Sequence, residues 1–150
     1  EFEGLPQRMQ YVATVADEEY IDDSKATNVG AALAAIEGLL GSTGKIVLIA
    51  GGVDKGGSYE PLCERMANEG RALVTIGEAA PLIEAAFSGS SLAQGRAGSM
   101  NDAVRRAASF AQPGDTVLLA PACSSFDMFR SYSERGEVFQ RAVQTLGGHS

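Results

Sequence analysis

Apolar and polar positions along the chain fall into short blocks whose spacing alternates between two periods. Residues 45–50 (Lys45-Ile46-Val47-Leu48-Ile49-Ala50), 72–76 (Ala72-Leu73-Val74-Thr75-Ile76) and 115–120, around Thr116-Val117-Leu118-Leu119, are apolar on both faces. Runs of this length, bounded by glycine and proline, predict strands covered by helices on both sides. Between them lie segments with helical spacing. Residues 29–40 carry Val29, Leu33, Ile36 and Leu40 on one stripe and end at Gly41; residues 59–69 point Leu62 and Met66 inward, with Cys63 a further candidate; residues 80–87 hold Pro81 in the first turn; residues 100–110 and about 133–146 complete the set. Residues 9–15 alternate instead, Asp17-Glu18-Glu19 predicts a polar turn, and Tyr20-Ile21 a short return strand, so the chain opens on a hairpin. Residues 91–94 are a weaker strand candidate. Strands alternating with helices in this way predict an α/β fold: a mostly parallel sheet with an antiparallel edge hairpin and helices on both faces.

Length and charge narrow the function. At 150 residues the chain makes about one domain, and an apolar fraction of 45% with 21% charged residues is ordinary for a packed globule. A net charge of −7, with 12 basic residues scattered among 19 acidic ones, argues against nucleic acid, which needs clustered cations. An anionic ligand would need a local basic focus. Cys63 and Cys123 show no metal-ligand spacing and fit reduced thiols of a cytoplasmic protein. No apolar run is long enough to insert in a membrane, and the opening Glu1-Phe2-Glu3-Gly4 does not make a signal peptide. With no initiator Met, the expectation is a domain cut from a longer protein.

Candidate chemistry gathers in three loops, each at the carboxyl end of a predicted strand, where ligands bind in open α/β sheets. Asp22-Asp23-Ser24-Lys25-Ala26-Thr27-Asn28 packs two carboxylates, two hydroxyls, an amine and an amide in front of an apolar helix. Ser24, Thr27 and Asn28 are each candidates to cap that helix, but capping does not explain Lys25, because a cation in the first turn would oppose the helix dipole. The second loop, Gly51-Gly52-Val53-Asp54-Lys55-Gly56-Gly57-Ser58, approaches a P-loop but places its lysine before the second glycine of the pattern rather than after it, and so fails the phosphate-cradle test. The third is Pro121-Ala122-Cys123-Ser124-Ser125-Phe126-Asp127. Serine hydrolase chemistry is excluded, since the only histidine is the near-terminal His149 and there is no nucleophile elbow; the scattered acids make no metal set.

Asp23-Ser24-Lys25-Ala26-Thr27-Asn28, Gly51-Gly52-x-Asp54-Lys55-Gly56, and Pro121-Ala122-Cys123-Ser124-Ser125-Phe126-Asp127-x-Phe129 with Glu134-Arg135-Gly136-x-x-Phe139 resemble, in this order and spacing, the C-terminal domain of the Mur ligases. These are ATP-dependent amide ligases of peptidoglycan synthesis, and the resemblance, strongest to the D-glutamate-adding members, covers essentially the whole chain. It implies a Rossmann-like domain whose N-terminal UDP-binding and central ATPase partners lie outside this chain and hold most of the ATP and Mg2+ contacts. It also implies that Lys25, Thr27, Lys55, Ser125, Phe126 and Tyr132 form a D-glutamate pocket, and that Arg8 and Asp23 reach the nucleotide. No catalytic or metal-binding residue is expected in this domain, which would be inactive alone. The full enzyme would activate UDP-N-acetylmuramoyl-L-alanine as an acyl phosphate for attack by the D-glutamate amine, acting as a cytoplasmic monomer. Two departures stand out: Gln7 precedes Arg8 where a His is often seen, and Tyr132 replaces a Phe. Alternatives are another Mur or a folate polyglutamate ligase, or a stand-alone anion- or nucleotide-binding module.

Overall fold

The structure is a computed structural model that describes residues 8–41 and 44–147. Six strands and five helices follow one another as β1 (Gln10–Val15), β2 (Glu18–Asp22), α1 (Val29–Glu37), β3 (Ile46–Gly51), α2 (Glu60–Glu69), β4 (Gly70–Ile76), α3 (Ala80–Ala86), β5 (Ala93–Arg96), α4 (Met100–Phe110), β6 (Thr116–Leu119) and α5 (Tyr132–Gly147). They form one sheet in the order β1-β2-β6-β3-β4-β5, parallel except for the β1–β2 pair. The α/β sheet with its antiparallel edge hairpin is thus as the sequence predicts. Periodicity did not predict that β6, last in the chain, inserts between β2 and β3.

Alternation along the central strands sends side chains to two separate cores. Leu48, Leu73 and Leu118 meet Ile36 of α1, Leu62 and Met66 of α2 and Ile83 of α3 on one face. Val47, Ile49, Val74, Val117 and Leu119 meet Val104 of α4 and Phe139 and Val143 of α5 on the other. Right-handed crossovers explain the division: the chain moves in one direction from β2 through β3 and β4 to β5, then reverses to reach β6, so α4 packs on the opposite side.

Three local expectations shift. The hairpin turn is Ala16-Asp17, both at positive φ (53° and 65°), while Glu18 and Glu19 belong to β2. A two-residue turn of this hand matches strand twist, and neither residue is the glycine or asparagine that marks it in sequence. Helix α1 stops at Glu37, where the Gly38 N–H closes on Ala34 O, and Leu40 is left 46% exposed. Its most buried stripe is Ala32, Ala35 and Ile36, because alanines let the helix lie close on the sheet. The weak strand is found two residues later, at Ala93–Arg96.

At the opposite end of the sheet from the three loops, Asp115 is 1% exposed and ties the strand starts together. It accepts hydrogen bonds from Arg71 Nε, from Lys45 N at 3.0 Å and from Gln112 N at 2.8 Å. Burial alone would raise its pKa; the Arg71 guanidinium and the two backbone donors more than offset this and hold it below the ordinary carboxylate value. The stabilisation it contributes is therefore complete above the unfolded-state pKa and lost as pH falls through the lower folded value. Asp115→Ala is expected to destabilise the domain by about 2–4 kcal/mol in urea unfolding at pH 7, because three donors lose a buried acceptor, and by progressively less as the pH falls below about 4.

Candidate functional site

Strands β2, β6 and β3 are neighbours, so the loops leaving their carboxyl ends are the three loops rich in polar groups. Backbone hydrogen bonds stitch them together. Asp23 N donates to Leu119 O at 2.8 Å and Ala122 N to Ala26 O at 2.9 Å, joining the β2 and β6 exits. Gly51 N donates to Pro121 O at 2.9 Å, and Val53 and Ser124 exchange bonds at 2.9 and 3.3 Å, joining β3 to β6. This approach demands glycine. A Cβ on Gly51 would stand 1.9 Å from Ile76 O, and one on Gly52 2.1 Å from Ser124 O, and both residues sit at positive φ (143° and 139°). Ala122 also adopts a left-handed conformation, with φ of 64°, held by its bond to Ala26.

On this rim the anticipated residues fall as follows. Asn28 caps α1, its side chain accepting from Ala31 N at 2.8 Å, so Thr27 is spared that duty and stands half-buried just before the helix. Lys25 precedes the helix by four residues and does not oppose its dipole at the first turn. Its Nζ donates to Tyr132 Oη at 2.8 Å and lies 4.7 Å from that ring's centroid, a combined hydrogen bond and cation–π contact across the sheet's edge. Ser125 is 2% exposed, its carbonyl accepting from Phe129 N at 2.8 Å, whereas Phe126 beside it is 72% exposed. Lys55 is exposed on an arm followed by Gly56, at φ of 86°, and Gly57. The arm's base is fixed by Tyr59, whose hydroxyl donates to Asp54 Oδ1 at 2.6 Å and lies 3.3 Å from Cys123 Sγ of the β6 exit. Direct contact thus joins Lys25 to Tyr132, while Thr27, Ser125 and Lys55 share the rim through the backbone stitching.

Asp23 turns the other way. With Arg8, Met9, Ala26, Ala31, Ala34 and Ala35 it lines a cavity of ≈ 200 Å³ on the α1 side. Burial pushes the Asp23 carboxyl up to about 6, against the pull of Arg8 and with a further push from Asp22. The β2 exit loop therefore separates two chemically different faces, one alanine-lined and carrying Arg8 and Asp23, the other carrying Lys25. Gln7 and His149 lie outside the described residues.

Sequence reasoning held Asp127 and Arg135 only as motif positions, without a supporting role, and missed Gln140. Arg135 is 1% exposed and donates from Nη2 to Ser24 O at 2.9 Å; Gln140 Nε2 donates to Asp22 Oδ2 at 2.7 Å; Asp127 Oδ2 accepts from Glu78 N at 2.8 Å. An arginine or glutamine on a helix ordinarily signals solvent, so only the Glu134-Arg135-Gly136 spacing hinted at more.

A model of the Mur ligase glutamate ligase domain matches residues 7–123. The chain belongs to the Mur ligase family. It is 52% identical over 145 residues to a UDP-N-acetylmuramoylalanine–D-glutamate ligase of Marinobacter nauticus, covering 97% of this chain and 32% of that protein. The chain thus spans about a third of the length of this curated relative. Among solved structures it resembles a MurF ligase of Thermotoga maritima in complex with ADP (TM-score 0.66, 19% identity, 99% of this chain and 33% of that one). It also resembles a bifunctional folylpolyglutamate synthase/dihydrofolate synthase with Mn, AMPPNP and L-glutamate bound (TM-score 0.63, 19% identity, 92% and 32%). These likenesses establish the Mur ligase C-terminal fold. Among the described residues no helix is long and apolar enough to cross a membrane.

Because the folded pKa of Asp23 lies above that of an unfolded aspartate, its carboxylate costs the Mur ligase domain stability as pH rises from about 4 to 6. Asp23→Asn is expected to stabilise the chain by up to about 3 kcal/mol in urea unfolding at pH 7.5, with the gain vanishing below about pH 4.

Proposed function

We propose that this chain is the acceptor-binding domain of an ATP-dependent ligase that joins D-glutamate to UDP-N-acetylmuramoyl-L-alanine in peptidoglycan synthesis. The observation that carries this reading is the placement of two lysines: on a chain of net charge −7, Lys25 and Lys55 issue from the loops after β2 and β3, on either side of the β6 exit loop that carries Ser125, with Thr27 beside Lys25. D-glutamate carries two carboxylates, and cations with neutral donors are the groups that hold a small dianion. Relatives of about 50% identity named for the same reaction support the acceptor.

In this reading Lys25, already oriented by Tyr132, and Lys55, on its glycine-flanked arm, grip the two carboxylates. Thr27 and Ser125 donate hydroxyl hydrogen bonds, and the exposed Phe126 covers the ligand's methylenes. So held, the amine is aimed at the partner substrate, and the gain is proximity and exclusion of water on domain closure.

Arg8 and Asp23 suit a nucleotide edge: a guanidinium for phosphate, a carboxylate for ribose or adenine donors, and an alanine floor for a flat ring. ATP, when bound, supplies the phosphoryl group that activates the carboxylate of UDP-N-acetylmuramoyl-L-alanine for attack by the D-glutamate amine. A cavity of ≈ 200 Å³ is small for a whole nucleotide, so this face would form one wall of a site completed by domains outside this chain. Among the described residues no three His, Cys, Asp or Glu side chains gather to hold a metal, and Mg2+ would be bound by those domains too. The full-length ligase would work as a cytoplasmic monomer.

An acceptor screen with the full-length ligase tests the proposal: D-glutamate is expected to be consumed and L-glutamate, meso-diaminopimelate and folate acceptors refused. Lys25→Met and Lys55→Met are each expected to raise KM for D-glutamate about 10–100-fold, the loss of one charge-assisted contact, with KM for ATP nearly unchanged. Unaltered D-glutamate KM in both variants would refute the pocket.

A further inference from the structure

The guanidinium of Arg135 is almost completely enclosed: the residue is 1% exposed, and its Nε and Nη1 have no hydrogen-bond partner among the described residues. Such a group is expensive. An arginine in an apolar site needs opposing charge and full hydrogen bonding, and replacement of buried ionic groups by well-packed apolar ones is often neutral or stabilising. Packing alone does not explain its presence.

Its surroundings do. Tyr132, Arg135 and Gln140 all belong to α5, and together they read the β2 exit loop in reverse order. Gln140 Nε2 holds Asp22 Oδ2 at 2.7 Å, Arg135 Nη2 holds Ser24 O at 2.9 Å, and Tyr132 Oη receives Lys25 Nζ at 2.8 Å. The loop is also pinned from within, since Asp22 Oδ1 accepts from Ser24 N at 2.9 Å. The charges that act on the Arg135 guanidinium come from the β2 end (Asp22) and the β6 exit loop (Cys123 and Asp127). Arg135 therefore sits where α5, the Lys25 loop and the Ser125 loop converge.

We infer that Arg135 is a positioning residue for acceptor binding: from beneath the rim it clamps the Ser24 carbonyl and so fixes the backbone from which the neighbouring Lys25 projects. This rests on the acceptor-site reading above. The planar fork matters as well as the charge, because one arm is bonded to the loop carbonyl while the rest lies among the acidic groups. Arg135 touches no substrate. Its loss should loosen the grip on the acceptor and leave the Arg8–Asp23 face, on the other side of the β2 exit loop, undisturbed.

The test is steady-state kinetics of the full-length ligase with Arg135→Gln and Arg135→Lys, each checked for folding by circular dichroism and melting. Arg135→Gln is expected to raise KM for D-glutamate about 10-fold or more while KM for ATP stays within about 2-fold; Arg135→Lys, which restores charge without the fork, should recover part of the loss and settle at about 3-fold. A folded Arg135→Gln enzyme with unchanged D-glutamate KM, or one in which both KM values rise together, overturns the inference. Should Arg135→Gln not fold, the lysine variant decides: wild-type KM for D-glutamate rejects a role for the fork, and a selective rise supports it. If instead the wild-type ligase itself ignores D-glutamate, the acceptor reading is what falls.

Discussion

The arrangement depends on one strand insertion. β6 enters between β2 and β3, and its exit loop thereby becomes the template on which the other two loops are laid, through Ala122 to Ala26 on one side and Ser124 to Val53 on the other. Backbone also crowds β3's exit from both sides, Ile76 of β4 leaving no room for a Cβ at Gly51 and Ser124 of the β6 exit loop none at Gly52. A rim assembled this way is built on the sheet itself rather than on long loops, an arrangement that holds side chains more precisely than loops do.

Charge is organised at two scales. The domain as a whole is acidic, which discourages anions in general, while the loops at the rim present Lys25 and Lys55. Within the β2 exit loop, Asp23 and Lys25 leave on opposite sides, one toward the α1 cavity and the other toward Tyr132 of α5. Two chemically different surfaces are thus served by one short segment. Asp22, Ser24 and Lys25 are each held by α5, which makes the closing helix a structural part of the site although it contributes only Tyr132 to the rim.

The polar groups that do this holding carry a cost in stability. Asp23 is buried with its pKa pushed to about 6, and Arg135 is buried with its own pushed down to about 10, in both cases chiefly by loss of solvation. Asp115, at the far end of the sheet, is the contrasting case: buried equally well but fully supplied with donors, it is an anchor. Strain of the first kind at the ligand edge and satisfaction of the second kind at the other edge is the pattern expected when a stable scaffold supports a site.

The sequence alone determined the strand and helix order, the antiparallel opening hairpin and the three polar loops, because apolar periodicity and glycine placement are local signals that backbone geometry obeys directly. It also carried the family, through motifs whose spacing survives without any structure. What only the tertiary structure decided was adjacency: that the last strand lies in the middle, that Asn28 rather than Ser24 or Thr27 caps α1, that Lys25 meets Tyr132 across more than a hundred residues, and that Arg135 and Gln140 face inward. Those facts rest on contacts between segments remote in the chain, and a helical arginine or a turn without glycine looks the same in sequence whether or not such a partner exists.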